Sequence, residues 1–480
     1  MVEKWGRRLM SFVVFAIIAR LVTPEAFGTV ALAMVYITFV ELFSRQGIGM
    51  AIVQAKDPDK TYIDTAFTIN VISGLAVALL SVVFSHQIAQ LLGDEKLTNV
   101  VSALSLAVII NSACVVPIAL QTKEFRFKDI AFQSLLGTCA GGIVGIVLAL
   151  LGFEVWALVL QTLVFALTNA VTVWIATKWK PHLGFSKQHA GQITRFSFKV
   201  LAINLMSFLR LRSDQVVVGL LTGPLGLGLY SLGQRLVKTV EAFVSTPAES
   251  VAMPSFSKIQ GEPERLRNAV GRAVEINALL TMPAFAGTAL MAPEIIYVLF
   301  GEKWMPAAPA CSVIAVTAMI NAIFFVIYPA LMGQGHPGKV FTFQAFQGVL
   351  AMGFAWLGGK WGILGVSYGI LASTTIVSIG SFIWIEGILN FRLTDLIKKI
   401  AATIASVLLM AAALLALRYG GVFQHTGAFV GLPLGVLVGG LSFMTGIYLL
   451  NRELLLKVSS MVLPARWREK TDHFLQKKKA

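Results

Sequence analysis

The chain has 480 residues, of which 56% are hydrophobic and only 13% charged, about half the charged share of an ordinary soluble domain. That composition excludes a water-soluble globule and supplies apolar segments of ~20 residues for about a dozen bilayer crossings. Lys and Arg total 39 against 24 acids, a formal charge of +15, and in a membrane protein such an excess marks cytoplasmic loops before it marks a nucleic-acid face.

Apolar runs bounded by charge, Gly or Pro predict an all-α polytopic membrane protein with fourteen transmembrane helices. They fall at 5–22, 26–46, 65–92, 98–120, 130–151, 155–177, 196–221, 225–249, 271–299, 306–332, 340–357, 362–388, 400–418 and 428–450. The start, Met1 to Arg8 followed by Leu9 to Val22, has the outline of a signal peptide without a small-residue cleavage site, and reads as a short first helix. An even count puts both termini on one side. With that side cytoplasmic, 29 Lys and Arg fall in cytoplasmic segments, and only Arg20, Lys96, Lys303, Lys360 and Arg418 fall opposite, as the positive-inside rule requires.

An offset of 200 residues reveals an internal repeat. Leu21/Leu221, Pro24/Pro224, Gly28/Gly228, Leu32/Leu232, Val40/Val240, Glu41/Glu241 and Phe43/Phe243 are identical without a gap, where composition alone gives roughly two matches. Six spans per repeat predict two lobes of like orientation, related by a pseudo-twofold axis along the membrane normal. The expected organisation is an N-lobe at 1–190, a C-lobe at 191–392, two added spans within 393–451 and a basic cytoplasmic tail at 452–480.

The remaining cations, Lys199, Arg210, Arg212, Arg235 and Lys238, lie inside spans seven and eight. A charge at bilayer depth costs at least about 2.5–3.5 kcal/mol, so such residues face the bundle interior or a watery cavity. Arg210 and Asp214 are four apart and share a helix face, whereas Arg212 points roughly 200° away from Arg210. Arg235, Lys238 and Glu241 succeed one another at three-residue steps. With Glu249 included, cations exceed acids by two over the two spans, and a cavity so lined attracts an anion, arginine suiting bidentate phosphate recognition. The bland reading is that Lys199 and Arg235 snorkel while Arg210–Asp214 and Lys238–Glu241 neutralise each other.

Glu41 pairs with Arg45 at i,i+4 and repeats as Glu241, which makes Glu41, Glu241 and Asp214 candidates for ion coupling or, equally, simple charge partners. Pro117, Pro283 and Pro329, with Pro247 and Pro433, interrupt spans at depth as hinges or fixed kinks. Cys114, Cys139 and Cys311 sit in apolar runs as packing residues; no metal site, cofactor, nucleophile constellation or Walker A sequence is read. The tail, with Arg466-Trp-Arg-Glu-Lys and Lys477-Lys-Lys479, suits anionic headgroups or plain topology.

Ala19-Arg-Leu-Val-Thr-Pro-Glu-Ala-Phe-Gly28, Leu229-Tyr-Ser-Leu-Gly-Gln-Arg-Leu236, Met253-Pro-Ser-Phe-Ser-Lys-Ile-Gln-Gly-Glu-Pro-Glu-Arg-Leu-Arg267 and Gly301-Glu-Lys-Trp-Met-Pro-Ala-Ala-Pro309 resemble the polysaccharide-flippase (Wzx-type) branch of the multidrug/oligosaccharidyl-lipid/polysaccharide exporter superfamily. The resemblance runs from about residue 5 to about residue 390. It implies an alternating-access flippase, not an enzyme, in the bacterial inner membrane. Its substrate would be an undecaprenyl-diphosphate-linked oligosaccharide, with polysaccharide polymerase or chain-length machinery as partners and no nucleic acid. Residues matching by type a cationic diphosphate site are Arg210, Arg212, Arg235 and Lys238; the first lobe departs in having few cations at depth. Two rivals stay open: a cation/drug antiporter, which would depend on Glu41, and a non-transporting membrane partner of an assembly complex, indifferent to Arg212 and Arg235.

Overall fold

The structure, a computed structural model, describes residues 2–45, 47–182, 184–244, 256–389 and 391–454. Glu249, Pro247, residues 253–255 and the tail from 455 onward lie outside the described residues. Every regular element among the described residues is helical. Eleven segments are long and apolar enough to cross a membrane, and large apolar side chains such as Val83, Ile175, Val349 and Leu449 are exposed along them, as lipid-facing surfaces require. The chain is an all-α, multi-pass membrane protein.

The helices begin with α1 (Val2–Leu21), α2 (Pro24–Arg45), α3 (Ile48–Gln54), α4 (Lys60–Val83), α5 (Ser85–Leu92), α6 (Leu97–Lys123), α7 (Phe127–Leu150), α8 (Glu154–Ala176) and α9 (Lys187–Val244). The sequence missed α3, seven residues entered from Gly47 in the left-handed region at φ 71°, because so short a helix shows no periodicity. Three apolar runs predicted as single helices are each two. The first breaks at Phe84; the second is Pro263–Leu290 followed by Ala292–Phe300; the third is Ala308–Phe324 followed by Ile327–Gly333. The third break has a clear cause: Pro329 lacks an N–H, and its ring crowds the carbonyl four residues back, at Phe325. By contrast, α6 runs unbroken through Pro117 and Pro263–Leu290 through Pro283.

Backbone proximity divides the chain into two compact units. The first holds 1–235, 299–310 and 344–370. Within it α7 packs on α8, α4 on α6, and α2 on both α4 and α6. Ile48 and Ile52 of α3 are buried with Ala66, Val116 and Ile193. The linker after α8 is tied to α4 by the N–H of His182 on Asp64 (3.4 Å) and that of Ser186 on Thr65 (3.1 Å).

The second unit holds 236–298, 311–343 and 371–480. Here Pro263–Leu290 packs on Leu393–Tyr419, which packs on Val422–Leu450. Its core includes Phe256, Leu266, Met282, Phe382, Phe391 and Met410. Arg418 donates to both carboxylate oxygens of Glu294 at 2.6 Å.

Candidate functional site

The long α9 is two arms. Gly223 sits at φ 67°, ψ −170°, a conformation open to glycine alone, and Pro224 begins the second arm where its missing N–H is harmless. Residues equidistant from this break therefore meet side by side. Tyr230 donates its hydroxyl to Asp214 (2.8 Å), and Gln234 donates its amide to the same carboxylate oxygen. The backbone N–H of Gln215 reaches the other carboxylate oxygen at 2.8 Å. Gln215 in turn donates to Gln234 (2.7 Å) and accepts from Arg212 (2.5 Å).

Asp214, Gln215, Tyr230 and Gln234 are all buried. A buried carboxylate without donors would be prohibitively unfavourable, and these donors stabilise it. Beside the Arg210 spacing read from the sequence, the donors that reach Asp214 from across the break are Tyr230 and Gln234. Arg210 is half-buried, and its buried Nε has no hydrogen-bond partner among the described residues. Arg212 is linked to Asp214 through Gln215.

Arg235 is exposed; it donates to Ser11 (3.2 Å), and its guanidinium lies 5.3 Å over the ring of Phe15 on α1. Lys238 and Glu241, both exposed, belong to the second unit, and Lys199 is exposed. Glu41, half-buried on α2, accepts from Asn111 of α6 at 2.9 Å; the side chain of Arg45 lies outside the described residues. Tyr230, Gln215, Gln234, Asn111 and Phe15 escaped the sequence reading as functional residues. The signal for two of them was present, since Tyr230 and Gln234 stand in the quoted Leu229–Leu236 motif beside Arg235.

The other motifs also meet. Trp304, fully buried, donates its indole N–H to the carbonyl of Ala19 at 2.8 Å. Lys303 reaches the carbonyl of Arg20 (2.8 Å), and Arg20 reaches that of Leu299 (3.0 Å). The bonds from Trp304 and Lys303 satisfy carbonyls at the end of α1, and that from Arg20 one at the end of Ala292–Phe300. Phe15 packs against Phe27 and Phe300, and Phe27 against Trp304, at centroid distances of 5.6–5.8 Å. Arg235 thus rests on an aromatic cluster whose Phe27 and Trp304 come from two of the quoted motifs.

The chain matches the polysaccharide biosynthesis protein family over residues 17–309. It belongs to that family. This polysaccharide biosynthesis protein is 26% identical over 464 residues to the succinoglycan biosynthesis transport protein ExoT of Rhizobium meliloti (strain 1021), covering 96% of this chain and 93% of that one. It is 24% identical to the lipopolysaccharide biosynthesis protein WzxC of Escherichia coli (strain K12), covering 79% and 78%. Among solved structures, the lipid II flippase MurJ in an inward closed conformation aligns with a TM-score of 0.75 at 14% identity, covering 95% of this chain and 99% of that one. An inward-facing MATE family multidrug resistance transporter of the MOP superfamily aligns at 0.65 and 17% identity, covering 80% and 94%. The resemblance read from the sequence is borne out, and the fold is that of these transporters.

Proposed function

We propose that this polysaccharide biosynthesis protein is a flippase that moves undecaprenyl-diphosphate-linked oligosaccharide repeat units across the bacterial cytoplasmic membrane for exopolysaccharide, O-antigen or capsule synthesis. The observation that carries the reading is the full-length match to a succinoglycan transport protein, joined to arginines at membrane depth on α9. Tyr230 and Gln234 donate to the Asp214 carboxylate, and Arg210 and Arg212 supply positive charge for an incoming diphosphate. Arg235 and Lys238 complete the proposed set. The protein supplies no covalent chemistry: it spares a charged headgroup the bilayer crossing, and directionality comes from differential affinity of two states.

The same proposal takes Val2–Leu21 as a first span and counts the two longest apolar segments, Lys187–Val244 and Pro337–Trp384, as two crossings each, for fourteen in all with both termini cytoplasmic. The duplicated lobes at 1–190 and 191–392 alternate access, with two further spans and a basic tail. Pro117, Pro283 and Pro329 are the proposed hinges; Glu41, Glu241 and Asp214 are the proposed coupling acids. Polymerase or chain-length machinery is the proposed downstream partner.

The test is leaflet exposure of an undecaprenyl-diphosphate oligosaccharide in proteoliposomes holding wild type, Arg212→Ala, Arg235→Ala or the corresponding Lys variants. Loss of one charge-assisted phosphate contact is worth about 1.5–3 kcal/mol, so each Ala variant should flip roughly ten- to a hundredfold less at subsaturating substrate, with Lys intermediate. Wild-type rates in both Ala variants would overturn the anion-site mechanism. Dye efflux abolished by Glu41→Gln would instead favour the antiporter.

A further inference from the structure

A separate cavity of about 650 Å³ opens in the second unit. Its walls come from the start of Pro263–Leu290, the start of Leu393–Tyr419 and Asn451 at the end of Val422–Leu450. All three are where apolar helices give way to polar chain, so the cavity lies at headgroup depth. Its charged lining is balanced, with Glu264, Glu275 and Asp395 against Arg267, Lys398 and Lys399.

The charges are not used equally. Arg267 pairs with Asp395 at 3.0 Å, and Asp395 also accepts the backbone N–H of Arg392, so those two charges cancel within the wall. Lys398 and Lys399 have no ion pair or hydrogen bond among the described residues. Among the described residues, half-buried Glu275 accepts only a long 3.5 Å bond from Asn451 and retains lone pairs. Gly271 leaves the space through which Lys399 leans on the facing helix: a methyl built there would lie 3.7 Å from Lys399 Cε and 3.3 Å from the ring of Phe391. Glu275 stands one turn further along, about 6 Å away. A cation pair and an acid are thereby offered a helical turn apart, beside the apolar Ala402.

We infer that this cavity binds the zwitterionic headgroup of an aminophospholipid, its phosphate on Lys398 and Lys399 and its ammonium on Glu275. The volume suits a headgroup with its glycerol, since small-ligand sites run to ~300–1,000 Å³. A purely anionic headgroup would satisfy the lysines and leave Glu275 opposed. Phosphatidylcholine, whose quaternary nitrogen has no N–H to give, would lose the hydrogen bond to Glu275. The ligand is distinct from the transported substrate.

The test is native mass spectrometry of the full purified chain titrated with phosphatidylethanolamine, phosphatidylcholine or phosphatidylglycerol, and with acyl-free O-phosphoethanolamine as competitor. Phosphatidylethanolamine should bind about tenfold tighter than either other lipid, from one or two charge-assisted hydrogen bonds. Lys398→Ala with Lys399→Ala should remove that binding, Lys398→Arg with Lys399→Arg should keep it, and Glu275→Gln should abolish the preference over phosphatidylcholine. Flipping by the variants, measured in parallel, keeps this result separate from the transport reading. Equal binding of phosphatidylglycerol, or unchanged binding in the double Ala variant, would overturn the inference. Full displacement by O-phosphoethanolamine at matched concentration would overturn its assignment to a bilayer lipid.

Discussion

Gly28 and Gly228, identical positions of the internal repeat, lie against each other's helix start. A Cβ on Gly28 would fall 1.7 Å from the carbonyl oxygen of Pro224, and one on Gly228 would fall 2.1 Å from that of Pro24. The contact is reciprocal, backbone on backbone, and each glycine covers the proline of the other repeat. Close helix approach of this kind is how packing without a hydrophobic drive is achieved in lipid.

Either alanine would therefore force two helix backbones apart. Gly28→Ala and Gly228→Ala should each destabilise the protein by about 1–3 kcal/mol. The double variant should cost less than the sum, since the first methyl already opens the crossing. Thermal unfolding in detergent checks both points, and a wild-type melting temperature for Gly28→Ala would rule the crossing out.

Trp304→Phe keeps the aromatic packing on Phe27 but leaves the Ala19 carbonyl buried without its donor. An unsatisfied buried group costs about 1–3 kcal/mol. Lys303→Ala removes an exposed bond to Arg20 and should cost well under 1 kcal/mol, or about the worth of a surface contact. The order of the two melting temperatures is the readout.

The repeat and the break at Gly223 were legible in the sequence because each leaves a local mark: identities at fixed offset, and Gly-Pro. The break at Phe84 left none, since apolar residues continue across it and periodicity reports burial rather than hydrogen bonding, whereas the break at Phe325 was marked only by Pro329, read as a hinge or kink within one span. At the candidate site, i,i+4 spacing paired Asp214 with Arg210, whereas the donors from Tyr230 and Gln234 come from the other arm. Which side chain faces Asp214 depends on the register of two arms across Gly223, and i,i+4 reasoning sees one arm at a time. Glu41 was read with Arg45 for the same reason, whereas the donor from Asn111 comes from another helix.

Arg418 and Glu294 form a bidentate pair whose carboxylate is only 10% exposed. Glu294→Gln would strand the guanidinium, and breaking a buried pair costs about 3–5 kcal/mol, less here because Arg418 is partly solvated. A double-mutant cycle with Arg418→Met and Glu294→Gln should return a coupling energy near 1–3 kcal/mol, typical of contacting residues. Additive effects would show that the pair contributes no coupling.

Asp214 admits two roles that one set of variants separates. As a clasp, its carboxylate joins the arms of α9 through Tyr230 and Gln234, and its value is structural. Tyr230→Phe removes one donor and should cost about 1–3 kcal/mol; Asp214→Asn keeps the shape but turns an N–H toward donors, with a cost of similar size. Flipping should then fall in step with melting temperature in both variants. As a coupling acid, Asp214 would instead show its effect in transport: Asp214→Asn would lose the dependence of flipping on an imposed proton or sodium gradient while Tyr230→Phe retained it. The first pattern would assign Asp214 to the clasp and direct the search for a coupling acid to Glu41 and Glu241, and the second would place coupling at Asp214 itself.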